Sequence, residues 1–174
     1  MPKIIENLRD RLLEEAKCQV MEAGYSTMTI RSVAKACGVG VGTVYNYFLS
    51  KDMLVASFML EDWLAVQRAI AKGCEEAVCP KEALHCIYLE LKRFMEIYKG
   101  LFSDEKAGDI YYASSKQRHA LLRSQLAQPL KRICMNQTKV DVEFLSDFLA
   151  ESMLTWTIEG REFEQISSVL LQLL

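Results

Sequence analysis

The chain has few of the residues that interrupt helices and few of those that usually catalyse reactions. Proline occurs three times and histidine twice among 174 residues. No stretch approaches the 18 or more apolar residues of a membrane span, and the charged first ten residues lack the apolar run of a secretory signal peptide. Neither a phosphate-binding glycine loop nor a nucleophile elbow occurs. These absences predict a protein that is neither membrane-spanning nor secreted, and not an enzyme.

What the chain has in quantity favours helices. Half of it is hydrophobic (51%), and Leu, Ala, Glu, Lys and Met are plentiful, which predicts an all-α fold. The formal net charge is only −2. Residues 1–52 carry seven basic and six acidic residues, or +1, and the remainder carries fourteen and seventeen, or −3. A local basic face, rather than a basic protein, is what specific DNA binding requires.

Helix signals divide the chain into a small N-terminal domain, residues 1–52, and a larger C-terminal helical domain, residues 53–174. Apolar spacing predicts a first helix over 3–23. Thr29 is a good N-cap for the second helix, although Ser32 stands where a full capping box has Glu or Gln. Gly38 suits the tight turn before a third helix over 41–48, and Ser50 caps a fourth that runs to about Gly73. Further helices are predicted over 80–99, 115–136, 141–158 and 162–174.

The second and third helices form a helix-turn-helix pattern, which typically places one helix in the DNA major groove. The small or polar residues on its outer face suit phosphate contacts, and the Asn46 amide can pair bidentately with adenine. Gly40 and Gly42 allow close approach to DNA. The candidate DNA-binding residues are Thr29, Arg31, Gly40, Val41, Gly42, Thr43, Tyr45, Asn46, Tyr47 and Lys51.

This segment resembles the DNA-binding region of the TetR (tetracycline-repressor) family of transcriptional regulators, over about residues 5–60. Cys37 replaces the usual Ala, and Gly40 replaces the Ser or Thr that usually caps the recognition helix. Val41 stands where a basic residue is frequent, which suits contact with a thymine methyl group. The matching positions are Thr29, Val33, Ala34, Gly38, Val39, Gly42, Thr43, Val44, Tyr45, Tyr47, Phe48, Lys51, Asp52 and Leu54.

The resemblance implies a homodimeric, ligand-responsive repressor that binds a palindromic operator in double-stranded DNA. It also implies a four-helix dimer bundle and a pocket for a largely apolar small-molecule effector. The candidate dimer residues are Val142, Leu145, Leu149, Met153, Trp156, Phe163, Ile166, Val169, Leu170 and Leu173. The candidate pocket residues are Trp63, Tyr88, Met95, Tyr98, Phe102, Tyr111 and Tyr112.

Two other functions remain open from the residues alone. The first is a thiol- or metal-responsive regulator that uses Cys74, Cys79 and Cys86, although their spacing does not match a zinc framework. The second is a helical protein-interaction module without DNA binding. The Glu82-x-x-His85 pattern occurs in di-iron bundles, but no second copy is present. We therefore expect no enzyme activity, no cofactor and no bound metal. Six cysteines without a C-x-x-C pair favour reduced thiols in the cytoplasm.

Overall fold

A computed structural model describes residues 7–104, 115–135 and 140–174 of the chain, and within these ranges every regular element is a helix. The predicted all-α fold is therefore confirmed. The described helices, numbered in chain order, are α1 Leu8–Ala23, α2 Ile30–Ala36, α3 Val41–Tyr45, α4 Lys51–Glu76, α5 Pro80–Phe102, α6 Ser115–Cys134, α7 Val142–Ile158 and α8 Phe163–Leu170.

Most helix boundaries follow the predicted caps. Gly24 ends α1 with a φ of 82°, and Gly160 follows α7 with a φ of 76°, a region that favours glycine. Asp141 accepts a hydrogen bond at 2.9 Å from the Phe144 N–H at the start of α7. The Ser50 hydroxyl accepts one from the Met53 N–H at 3.1 Å at the start of α4. Capping residues therefore locate these helix ends well.

Several helix boundaries differ from the prediction. α1 begins at Leu8 after Asn7, which has a φ of 56°, and residues 3–6 of the predicted first helix lie outside the described residues. The helix predicted over 115–136 ends at Cys134. α3 ends at Tyr45 rather than at Phe48, because the chain turns there and buries Phe48 before α4 begins. α4 continues through Gly73 to Glu76, and α5 continues through Gly100 to Phe102. α8 ends at Leu170 instead of at the last residue. Glycine in a helix costs only about 1 kcal/mol, so tertiary packing readily outweighs it.

Gly73 has a packing role inside α4. A β-carbon at this position would lie 2.1 Å from the Cys86 sulfur and 3.1 Å from the Cys86 β-carbon of α5. Only glycine therefore lets α4 and α5 approach each other so closely at this level.

The chain forms two compact units: unit 1 comprises Met1–Asp62 and Ile97–Ala113, and unit 2 comprises Trp63–Glu96 and Ser114–Leu174. The first division lies inside α4, later than the boundary predicted after residue 52. The reason is that the first turns of α4 supply core residues to unit 1. Leu54, Val55 and Phe58 are all buried.

Unit 1 contains the predicted apolar stripes of the helix-turn-helix. Ile30, Val33, Ala34, Val44 and Phe48 are each at most 7% exposed. At the end of α5, Tyr98 is fully buried in this unit, and its hydroxyl donates to the Asp62 carboxylate. Lys17 of α1 pairs with the same carboxylate at 2.6 Å. The end of α5 is thus tied to α1 and α4 inside unit 1.

Unit 2 has its own apolar core, and this core corrects the predicted dimer surface. The predicted interface residues Leu145, Leu149, Met153, Phe163, Ile166 and Leu170 are buried core residues of a single protomer, while Val142 and Trp156 pack against that core. A side chain without exposed surface cannot offer area to a partner. Only Val169 and Leu173 of the predicted set are exposed, at 49% and 42%.

No helix in the described ranges is long and apolar enough to cross a membrane.

Candidate nucleic-acid interface

The helix-turn-helix begins with a complete capping box at Thr29. The Ser32 N–H donates to the Thr29 side-chain oxygen at 3.0 Å, and the Thr29 N–H donates to the Ser32 hydroxyl oxygen at 3.1 Å. The prediction of half a capping box was therefore wrong, because a serine at this position reaches back as a glutamate would. The free N–H groups at positions 30 and 31 lie in the first turn, which suits an anion.

The turn between α2 and α3 depends on glycine at one position. Gly38 has a φ of 70°, and its N–H donates to the Lys35 carbonyl at 3.2 Å. The Val39 N–H donates to the Ala34 carbonyl at 2.9 Å. At the other end of the turn, Gly40 is the N-cap of α3 with no side-chain capping bond. The turn therefore leaves the first N–H groups of α3 without a capping side chain.

The inner face of α3 fixes which residues face outward. Val44 and Phe48 are buried, so Asn46 and the rings of Tyr45 and Tyr47 are exposed, each ring at 47%. Val41 and Thr43 are half-buried. The predicted base reader and the two predicted tyrosine contacts therefore lie on the outer surface of this short helix and the turn after it.

Gly40 and Gly42 are not required by the packing of the protein itself. A β-carbon on Gly42 would meet nothing within 4 Å, and one on Gly40 would meet only the Thr43 hydroxyl, at 3.8 Å. The backbone at Gly40 has a φ of −72°, which any residue adopts. Both glycines therefore leave the backbone uncovered on the exposed side of α3. A binding partner could approach the backbone closely there.

Several predicted contact residues lie around one shallow hollow. Thr29, Arg31, Val41, Tyr45 and Lys51 line it. The structure therefore brings the start of α2, α3 and the start of α4 to one hollow.

Lys51 has a second role, which the sequence did not reveal. Its ammonium group donates to the Tyr25 carbonyl and lies 4.0 Å from the centre of the Tyr25 ring, while the Tyr25 hydroxyl donates to Asp52. Lys51 and Asp52 thus fasten the loop after α1 to the start of α4. No spacing rule in the sequence links Tyr25 to these two residues.

The predicted effector-pocket residues lie in two separate units. Trp63, Tyr88 and Met95 belong to unit 2, and Tyr98 and Phe102 belong to unit 1; Tyr111 and Tyr112 lie outside the described residues. The Trp63 indole N–H donates to the Gln125 side-chain oxygen at 2.8 Å.

Trp63, Tyr88 and Tyr98 are buried, Met95 is half-buried, and Phe102 is exposed. The five described residues are thus divided between the two units. Their role as a common pocket therefore remains a prediction.

The described ranges contain no group of three or more His, Cys, Asp or Glu side chains that could hold a metal ion. Burial and the neighbouring Cys86 thiol raise the pKa of Cys74 to about 12, and burial also raises the pKa of Cys86. The thiolate is the reactive form of cysteine, so the raised pKa values disfavour reaction at Cys74 and Cys86. Cys79 is the exposed member of these three cysteines.

The Glu82-x-x-His85 pair has structural roles. The Glu82 carboxylate accepts a hydrogen bond at 3.0 Å from the Val78 N–H in the turn before α5. The His85 ring packs at 4.5 Å, centre to centre, against Phe163. A capping carboxylate and a packed imidazole explain both residues without a metal.

A capped helix, a glycine turn and a short exposed helix on a three-helix core together define a helix-turn-helix DNA-binding domain. Residues 12–58 match the family model described as "Bacterial regulatory proteins, tetR family". The chain is therefore similar to that family over its helix-turn-helix domain.

The regulator UidR of Escherichia coli (strain K12) is 30% identical over 79 residues, which are 45% of this chain and 37% of UidR. The repressor KstR of Mycobacterium tuberculosis is 27% identical over 88 residues, 51% of this chain and 40% of KstR. The matches thus span little more than a third of these relatives.

The fold agreement extends much further than the sequence agreement. Thermus thermophilus FadR, a TetR-family transcriptional repressor solved with lauroyl-CoA, has a TM-score of 0.61 to this chain and 18% identity. The alignment covers 95% of this chain and 92% of FadR. The chain therefore shares the fold of FadR over nearly its whole length.

Proposed function

We propose that the protein is a sequence-specific DNA-binding transcriptional regulator, a repressor that binds a palindromic operator as a homodimer. The observation that carries the proposal is the outer surface of α3. Asn46, Tyr45 and Tyr47 are exposed beside two glycines whose β-carbons would meet no crowding within the protein. A helix with glycines on its exposed side and polar side chains at its C-terminal end suits insertion into the major groove.

Each residue of this surface has a physical role in the proposal. Thr29, Thr43, Tyr45 and Tyr47 donate hydroxyl hydrogens to phosphates, and Arg31 and Lys51 add positive charge around the shared hollow. Asn46 reads an adenine and Val41 contacts a thymine methyl group. Gly40 and Gly42 let the α3 backbone approach the base edges.

The dimer in this proposal uses an exposed apolar stripe in place of the buried residues predicted from the sequence. Phe144, Phe148 and Ile158 recur on α7 and are 69%, 42% and 49% exposed. Val169 and Leu173, near the end of the chain, are also exposed. Large apolar side chains left in water at helical spacing are typical of an interaction surface. A two-fold dimer then presents two α3 helices to two half-sites.

We also propose that unit 2 binds a largely apolar small-molecule effector. FadR, which has the same fold, was solved with lauroyl-CoA. This chain has an extensive apolar core in unit 2, and a partly buried polar pair, Trp63 and Gln125, lies in that unit. Such a pair is the kind of polar group that orients a ligand in an apolar site. Six free cysteines suit the cytoplasm, where thiols stay reduced.

Fluorescence anisotropy on duplex DNA from upstream of the protein's own gene, and on a pool of random duplexes, tests the proposal. We expect dimer-stoichiometric binding that weakens steeply with salt, because phosphate contacts release counterions. Tyr47→Ala should weaken binding to all sequences, while Gln128→Ala, a control change at an exposed residue of unit 2, should not. A protein that binds neither the upstream DNA nor any random duplex would contradict the proposal and favour the protein-interaction alternative.

A further inference from the structure

The segment that forms the outer surface of α3 contains no charged residue at all. From Ala36 to Ser50 there is no Lys, Arg, Asp, Glu or His. This range covers the turn, α3 and the connection to α4. Any base edge that α3 meets is therefore read by neutral groups.

The neutral groups available are few and chemically distinct. Asn46 is exposed and offers an amide, while Val41 and Thr43 offer methyl groups from half-buried positions. Gly40 and Gly42 add only backbone. Apart from the two tyrosines, the Asn46 amide is the group on this surface that can form two hydrogen bonds with one base edge. Val41 and Thr43 are the side chains that can contact a methyl group of a base.

Guanine and cytosine are read by the groups that this surface lacks. Guanine O6 and N7 are usually bound by Arg or Lys, and the cytosine amino group donates to Asp or Glu. Adenine pairs bidentately with Asn or Gln, and the thymine methyl group takes apolar contacts. Resting on the DNA-binding function proposed above, we propose that the operator base pairs facing α3 are A·T pairs, with adenine at Asn46 and thymine at Val41.

The neighbouring cations Arg31, Lys35 and Lys51 belong to α2 and α4 and not to α3. Arg31 and Lys35 are exposed on α2, the helix that crosses the DNA backbone in this motif. Lys51 is held at the Tyr25 carbonyl and ring. These positions provide charge for phosphates at the edges of the half-site and leave the bases opposite α3 to neutral groups.

The test is repeated selection of duplexes from a random pool by the full-length protein, followed by sequencing. We expect a palindrome whose half-sites contain consecutive A·T pairs. Asn46→Ala should lower the preference at one position per half-site by about 5- to 100-fold, while Gln128→Ala leaves every position unchanged. Val41→Lys should convert one thymine preference into a guanine preference, because it adds the missing donor.

The results separate this inference from the function on which it rests. Half-sites with G·C pairs at the positions altered by Asn46→Ala or Val41→Lys would overturn the A·T inference and leave the DNA-binding function intact. A guanine preference that disappears in Arg31→Ala would overturn it in the same way. A pool from which no duplex is enriched would overturn the DNA-binding function itself, and this inference with it.

Discussion

Replacing Gly42 with alanine should stabilise the protein and weaken its binding to DNA. Glycine inside a helix is less stable than alanine by about 0.5–1 kcal/mol, and the added β-carbon meets nothing within 4 Å in the protein. For a chain of this length that gain corresponds to an increase in Tm of about 1–4 °C. If Gly42 were needed only for the packing of the protein, the substitution would lower the Tm instead.

The loss of DNA affinity follows from the same open surface. A methyl group that projects from α3 toward the bases holds the helix away from the groove and lengthens several hydrogen bonds worth about 1 kcal/mol each. We expect about a tenfold loss at each half-site, and therefore about a hundredfold loss for a dimer whose two sites act independently. Thermal unfolding and anisotropy titration on one protein preparation measure both effects.

Gly100→Ala provides a matched control. Gly100 lies in α5, and a β-carbon there also meets nothing within 4 Å. It should give a similar gain in Tm with unchanged DNA affinity. If Gly42→Ala lowers the Tm, the space around Gly42 is not open as described. If it raises the Tm and binds operator DNA as tightly as wild type, close approach of α3 to DNA is refuted.

Three further predictions concern unit 2. Gly73→Ala should lower the free energy of unfolding by about 1–3 kcal/mol through overpacking against Cys86, and Cys86→Ala in that background should restore part of the loss in denaturant titrations. Phe148→Glu should convert the proposed dimer to a monomer in analytical ultracentrifugation. It should not reduce the helix content, because Phe148 is exposed. A mutant that remains a dimer would exclude the exposed apolar stripe of α7 as the interface. Because the pKa of Cys74 is raised to about 12, its neutral thiol contributes to stability below the unfolded pKa of about 8.5, and that contribution should be lost as the pH rises from there toward 12. Maleimide at neutral pH should accordingly modify Cys79 and leave Cys74 unmodified; equal labelling of both in the folded protein would contradict the burial of Cys74.

Local sequence signals predicted the helix-turn-helix well because its determinants are local. Capping residues, the positive φ at Gly38 and apolar spacing of three and four residues act over one or two helical turns. Burial of Val44 and Phe48 then fixes the outward direction of Asn46 and Tyr47. The predicted positions of these side chains needed no information from distant parts of the chain.

The dimer stripe failed as a prediction because periodicity identifies an apolar face without identifying what covers it. Leu149 and Met153 recur at helical spacing, but so do the exposed Phe144 and Phe148 on another side of α7. A helix that is apolar on two sides gives no sequence signal for which side belongs to the protomer core.

The passage of α4 and α5 through both units makes the DNA-binding unit discontinuous in sequence. A fragment that stops at residue 52 would lack Leu54, Val55 and Phe58, which fill its core, and also Tyr98, which returns to it from the far end of α5. Such a fragment should fold poorly on its own. Recombination between relatives would have to exchange both stretches of unit 1, Met1–Asp62 and Ile97–Ala113, together to obtain a stable new DNA-binding unit. Gradual substitution on the surface of α3 is therefore the easier way for this fold to change its operator.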